Sequence, residues 1–200
     1  MRNFKIYSPL LLSSLFGVIM FSCFFASSSW GADTSMTKKP LIAYFSESGH
    51  TKAIAGDIQA YVGGELVQIE PVKPYPTEYQ ELVDLAKKEQ NDNARPEIKT
   101  RIENLDQYNV IFLGFPNWWS SMPMPVYTFV EENKLNGKTI IPFCTHGGGG
   151  LGHTIEDLRK LCPNSNILKP FSISGNRATD ASSAVKKWLE GLETEIKLAK

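Results

Sequence analysis

The run Val110-Ile111-Phe112-Leu113-Gly114-Phe115 constrains the fold of this chain more than any other stretch. It has no polar alternation, so both faces of the strand it forms must be covered. Such strands belong to parallel sheets flanked by helices, and parallel strands need a crossover between them. The chain supplies the crossovers. Strand-like runs at Leu41–Phe45, Glu65–Glu70, Lys138–Thr145 and Ile167–Ser174 alternate with helical periodicities. Ile54, Ile58 and Val62 mark a first helix; Tyr79, Leu82, Val83 and Ala86 mark a second, starting near Thr77. Val126, Phe129 and Val130 follow Pro123 and Pro125 in a third, and a fourth spans about Thr154 to Leu161. A further turn or two is expected around Ile98, Ile102 and Leu105. The stripe Ala181, Ala184, Val185, Trp188, Leu189, Leu192 and Ile196 predicts one long closing helix. Five strands alternating with helices predict a doubly wound α/β domain.

Ahead of this pattern, Arg2 and Lys5 precede a charge-free apolar run from Leu10 to Ala26 and a small-residue segment, Ser27 to Ala32. Residues 1–31 read as an export signal, with Ser29 and Gly31 suited to cleavage after Gly31. Residues 32–39 read as a flexible lead and 40–200 as the domain. The expected location is periplasmic or extracellular. Membrane attachment enters only if the signal is retained as an anchor or Cys23 is lipidated. Lys plus Arg and Asp plus Glu are equal at 21 each over 200 residues, and losing Arg2 and Lys5 leaves a slightly acidic chain. That balance suggests neither a nucleic-acid partner nor a polybasic membrane patch. Export would permit a disulfide. Cys144, however, ends a strand while Cys162 lies a helix length away, roughly 15 Å, so both are expected as buried thiols.

In doubly wound sheets, ligands sit at the carboxyl ends of the strands, where the strand order reverses. Three loops leave those ends, and they are the oddest stretches of the sequence. Ser46-Glu47-Ser48-Gly49-His50-Thr51 puts hydroxyls and one glycine ahead of a helix, where unpaired amides and the helix dipole favour an anion. Helix capping by the same hydroxyls is the plainer alternative. Pro116-Asn117-Trp118-Trp119-Ser120-Ser121 carries two adjacent tryptophans, which cannot both face inward on a regular element. Either they offer a stacking surface to a flat ring, or one plugs the domain edge while the other stays exposed. Thr145-His146-Gly147-Gly148-Gly149-Gly150-Leu151-Gly152-His153 implies a backbone lying against a ligand. An esterase oxyanion hole would use a similar His-Gly-Gly-Gly, but the chain holds no Gly-x-Ser-x-Gly elbow. All three histidines, His50, His146 and His153, fall in these loops. A metal site is therefore an alternative to lining a cofactor, although no cysteine or carboxylate is spaced with them as a ligand set.

Taken together, the three loops resemble the short flavodoxin-type family with a Pro-x-Trp-Trp loop and a Thr-x-Gly-Gly-x-Gly loop, over essentially the whole domain. The resemblance implies a five-stranded parallel sheet of order 2-1-3-4-5, helices on both faces, and non-covalent flavin mononucleotide (FMN). It implies that Ser46, Ser48, Gly49, His50 and Thr51 hold the phosphate. Pro116, Asn117, Trp118 and Trp119 would border the flavin ring on one side, and Thr145, His146, Gly147 and Gly148 on the other. His50 stands where the family usually has Asn, Ser120 where members often have Gly, and Gly149 where many have Ser. One-electron carriers of the flavodoxin type turn over a peptide in the second loop, most easily at glycine. From Phe115 to Pro125 this loop has none, prolines stiffen it, and Asn117 is the residue that best tolerates a left-handed conformation. Near-neutral charge adds no steering of a basic partner. The expectation is two-electron transfer to a small acceptor such as a quinone. The alternatives are a one-electron carrier for a protein partner, or a non-enzymatic binding module for another phosphorylated ligand. No catalytic residue and no metal ligand is assigned.

Overall fold

The structure is a computed structural model that describes residues 39–196. The expected export signal, residues 1–31, and nearly all of the lead lie outside the described residues. In chain order the elements are β1 (Leu41–Tyr44), α1 (His50–Val62), β2 (Glu65–Gln68), α2 (Tyr79–Asn91), β3 (Val110–Pro116), α3 (Met124–Glu132) and β4 (Thr139–His146). They continue with α4 (Thr154–Leu161), β5 (Asn166–Ile167), β6 (Phe171–Ser174), α5 (Ser182–Glu190) and α6 (Glu193–Ile196).

The sheet runs β2-β1-β3-β4-β5 and every pair is parallel. This is the order 2-1-3-4-5 that the family resemblance implies. The fifth place, though, is divided: β5 pairs with the start of β4, and β6 pairs with its end, from Phe171 beside Phe143 to Ser174 beside His146. The single strand expected from Ile167 to Ser174 is broken at Leu168-Lys169-Pro170. Pro170 has no N–H for a ladder, and the Lys169 carbonyl accepts from Trp188 Nε1 at 3.0 Å instead.

Alternation along the strands sorts the core into two layers. Leu41, Ala43, Ile111, Leu113, Phe115 and Ile140 pack with Val126, Phe129 and Val130 of α3 and Leu158 of α4. Ile42, Tyr44, Phe112, Ile141 and Phe143 pack on the opposite face with Ile54 and Ile58 of α1 and Val185 and Leu189 of α5. Burying one such large side chain contributes about 1.5–3 kcal/mol, so the central strands, covered twice, anchor the fold. Gly114 is part of this fit. A Cβ there would stand 2.1 Å from Cζ of Phe143, its neighbour across the β3–β4 ladder.

Other boundaries differ from the sequence expectations for local reasons. The second helix starts at Tyr79 rather than near Thr77, because Glu78 caps it and accepts from the Glu81 amide at 2.9 Å. The closing stripe is two helices with a break at Gly191, a residue about 1 kcal/mol worse than Ala inside a helix. Around Ile98 to Leu105 the chain makes a bridge between Ile98 and Pro71, then a 3₁₀ turn at Leu105–Gln107. β2 stops at Gln68, where Thr100 takes over. Its hydroxyl donates to the Gln68 carbonyl and accepts from the Glu70 amide, both at 2.8 Å. Among the described residues no helix is long and apolar enough to cross a membrane. Cys144 and Cys162 are both buried and unbridged.

Candidate functional site

The loops after β1, β3 and β4 meet at the carboxyl edge of the sheet. In the first loop, α1 is opened by Gly49 in a left-handed conformation (φ 83°) with no side-chain cap. The hydroxyls are therefore not spent on an ordinary N-cap; Ser46 Oγ accepts from the Lys52 amide at 3.3 Å, a long contact. The amides of His50 and Thr51 have no intrahelical acceptor, and no acidic residue stands in the first turn. Ser48 and Gly49 are exposed and Ser46 is half-buried. His50 is half-buried, with Nδ1 3.2 Å from Ser48 Oγ. Its ring packs against Gly175, where a Cβ would come within 2.7 Å of that nitrogen. Thr51 turns inward: it is buried, and its hydroxyl meets that of Thr145 at 2.8 Å, tying the first loop to the third.

The second loop closes into a tight turn. The Trp118 amide donates to the Ser121 carbonyl at 2.9 Å and the Ser121 amide to the Trp118 carbonyl at 3.0 Å. Between them Trp119 (φ 52°) and Ser120 (φ 66°) are both left-handed, the pattern of a type I′ turn that normally holds Asn-Gly. The left-handed residues are thus these two and not Asn117, at about 1–2 kcal/mol each. Tertiary contacts impose the conformation. The Ser120 carbonyl accepts from the His153 amide at 2.7 Å, and the Trp119 carbonyl from Gln90 Nε2 at 3.1 Å. Gly152 comes so close that a Cβ there would lie 2.1 Å from the Ser120 oxygen.

The two indoles part company. Trp118 packs edge-on against Phe45 and Tyr75, with centroids 5.3 and 5.1 Å away. Trp119 keeps 47% of its surface exposed, donates from Nε1 to the Val83 carbonyl at 3.1 Å, and has Lys87 Nζ 4.9 Å from its ring. Asn117 joins the second and third loops: its amide donates to the Thr145 carbonyl at 2.8 Å and Nδ2 to the Gly150 carbonyl at 2.6 Å. Pro116 closes β3 opposite Thr145.

In the third loop His146 Nδ1 accepts from the Gly148 amide at 3.0 Å. A Cβ at Gly147 or Gly148 would meet no atom within 4 Å, so this backbone borders open space. Side-chain contacts tie His50 to Ser48 and His146 to Gly148, while His153 engages the Ser120 carbonyl through its backbone amide. Among the described residues no group of three His, Cys, Asp or Glu is placed to hold a metal ion. Burial pushes the Cys144 thiol up to about 12 and also raises the Glu47 carboxyl of the first loop.

Sequence reasoning missed several residues that shape this edge. Phe45 and Tyr75 wall in Trp118, and Tyr75 donates to Glu89 at 2.5 Å. Ser121, Tyr127 and Asp157 share hydrogen bonds beneath the turn. Gly152, in the glycine-rich loop, and Ser121, at the end of the two-tryptophan loop, left a trace in the sequence. The others look like ordinary strand-end, linker or helix residues.

A model of the flavodoxin family matches residues 39–192. The chain belongs to the flavodoxin family. Two proteins provisionally named flavoproteins are similar along the same region. The crystal structure from Bacteroides eggerthii DSM 20697 shares 35% identity, covering 76% of this chain and 96% of its own, with a TM-score of 0.67. That from Bacteroides uniformis ATCC 8492 shares 30% identity, covering 76% and 97%, with a TM-score of 0.68. A flavoprotein from Lactobacillus acidophilus NCFM, crystallised in complex with FMN, shares the fold at 23% identity, covering 73% and 99%, with a TM-score of 0.59. The comparison with curated proteins gave no match. The cofactor implied by the resemblance, FMN, is thus supported at the level of the flavodoxin family. The residues present fit it. Exposed Ser48, half-buried Ser46 and the open amides of α1 are a donor set for a phosphate, and the Gly147–Gly148 backbone leaves room beside it.

Proposed function

We propose that this flavodoxin-family protein is an exported FMN-binding oxidoreductase that passes two electrons to a small acceptor such as a quinone. One observation carries the binding half. Thr51 with Thr145, and Asn117 with Gly150, lock three loops from three strands into one rim around open glycine backbone. FMN supplies the redox chemistry when bound. The chain's part is to hold it: Ser46, Ser48 and the first amides of α1 bind the phosphate, and the Asn117–Trp119 and Thr145–Gly148 segments border the ring. Thr51 supports the site from below through its bond to Thr145. A yellow purified protein whose released ligand has the mass of FMN is the expected result. A colourless protein releasing another phosphorylated ligand would favour the binding module.

The tied turn supports the two-electron half. The carbonyls of Trp119 and Ser120 are both engaged, to Gln90 and His153, so neither peptide is free to turn over. A reductive titration of the holoprotein should show a single two-electron step. A stable intermediate stage after one electron would overturn this and promote the carrier for a protein partner. Export rests on the sequence of residues 1–31, and N-terminal sequencing of secreted protein beginning at Ala32 is its test.

A further inference from the structure

Ser121, Tyr127 and Asp157 form a closed triangle beneath the aromatic turn. Ser121 ends the turn, Tyr127 comes from α3 and Asp157 from the first turns of α4. Ser121 Oγ and Tyr127 OH both donate to Asp157 Oδ2 at 2.7 Å, and the two hydroxyls stand 2.8 Å apart. Ser121 is 5% exposed. We propose that Asp157 is a positioning residue that holds the Trp118–Ser121 turn in its left-handed form and so sets the face it presents to the flavin. The second clause rests on the FMN reading above; the first does not.

Three observations support the assignment. Two consecutive residues with side chains are left-handed, a state that persists only where surroundings over-determine it. The start of α4 grips the turn at two points, through the His153 amide on the Ser120 carbonyl and through Asp157 on the Ser121 hydroxyl, and the Asp157 amide bonds back to the His153 carbonyl at 3.0 Å. A cleft of about 650 Å³ opens beside the triangle, lined by Trp119, Ser121, Tyr127, His153 and Asp157 among others, so packing alone does not confine the turn. Tyr127 is steadied from its far side by Arg95, 5.1 Å over its ring and itself bonded to Glu131 at 2.6 and 2.7 Å. Asp157 Oδ1 faces Lys160 at 3.8 Å.

The test uses the full chain with Asp157→Ala and Ser121→Ala, each with and without Ser120→Gly. Near-ultraviolet circular dichroism of the ligand-free protein reads the adjacent indoles, and fluorescence titration reads the FMN Kd. Each single variant should alter the tryptophan signal and raise Kd about tenfold, the equivalent of one lost hydrogen bond to a charged group. Glycine takes φ > 0 at little steric cost. Adding Ser120→Gly should therefore restore the signal and most of the affinity. An unchanged tryptophan signal in both single variants, or no rescue by glycine, overturns the proposal. If Asp157→Ala does not fold, Asp157→Asn and Ser121→Ala decide by the same readouts. If the wild-type chain binds no FMN, the cofactor reading falls while the dichroism arm still judges the turn.

Discussion

Gly152→Ala strikes the aromatic turn from the opposite loop, and its cost can be built up from the contacts. Gly152 has φ +55°, a conformation that costs an L-residue about 1–2 kcal/mol. The new Cβ would stand 2.1, 2.6 and 2.8 Å from the oxygen, carbon and Cα of Ser120, all backbone atoms that cannot swing aside. Relieving the clash means moving the turn off α4 and giving up the 2.7 Å bond from the His153 amide, about 0.5–1.5 kcal/mol more. The sum is about 1.5–3.5 kcal/mol, which for a domain of this length lowers Tm by roughly 3–14 °C. Two neighbours calibrate the number. Gly150 (φ +60°) would meet no atom within 4 Å, so Gly150→Ala bears only the conformational cost, about 1–2 kcal/mol. Gly147 has neither a positive φ nor a near atom, and Gly147→Ala should leave Tm within about 2 °C of wild type. Thermal melts of the three ligand-free variants give the ranking. Should Gly152→Ala melt within about 2 °C of Gly150→Ala, the close approach between the two loops is not what holds the turn.

Two further expectations follow from other parts of the molecule. Ser46→Ala should weaken FMN binding about tenfold or more while leaving riboflavin, which lacks the phosphate, nearly unchanged; equal losses in parallel titrations would put the phosphate elsewhere. Glu89 and Glu131 should shape the pH dependence with opposite signs. Burial raises the Glu89 carboxyl despite the Tyr75 hydrogen bond, so its contribution to stability is complete below the ordinary carboxylate range and is lost as pH rises through the raised value. Arg95 lowers Glu131 by hydrogen bonding, so that contribution is present above the ordinary range and is lost as pH falls. Urea midpoints from about pH 3 to about pH 8 should show Glu89→Gln removing a loss on the rising side and Glu131→Gln removing one on the falling side; matching profiles would contradict the assignment.

What the sequence made legible was whatever burial dictates. The unbroken apolar runs of β1, β3 and β4 announce strands covered on both faces, and α4 falls at Thr154–Leu161 as its periodicity suggests. The gathering of the three loops followed from topology alone. Less visible were features set by single residues acting against a pattern. The apolar stripe from Ala181 to Ile196 continues through Gly191, although the helix does not. Within the site, the conformation of Trp119 and Ser120 runs against their own preferences and is imposed by Gly152, His153 and Gln90, so nothing local foretells it. Thr51 illustrates the same limit. Nothing local to the start of α1 announces that its hydroxyl meets that of Thr145, 94 residues away.

The divided fifth strand has a consequence for how copies of this protein meet one another. A long, flat sheet edge is a template on which a second chain can add its own strand. Here that side carries two residues of β5, then Leu168, Lys169 and Pro170, then four residues of β6. The proline withholds a donor, the exposed lysine brings charge, and the carbonyl between them is already claimed by the indole of Trp188. An incoming strand would find its row of partners interrupted in the middle. The break that costs this sheet a few ladder bonds thus guards its edge against strand-to-strand aggregation.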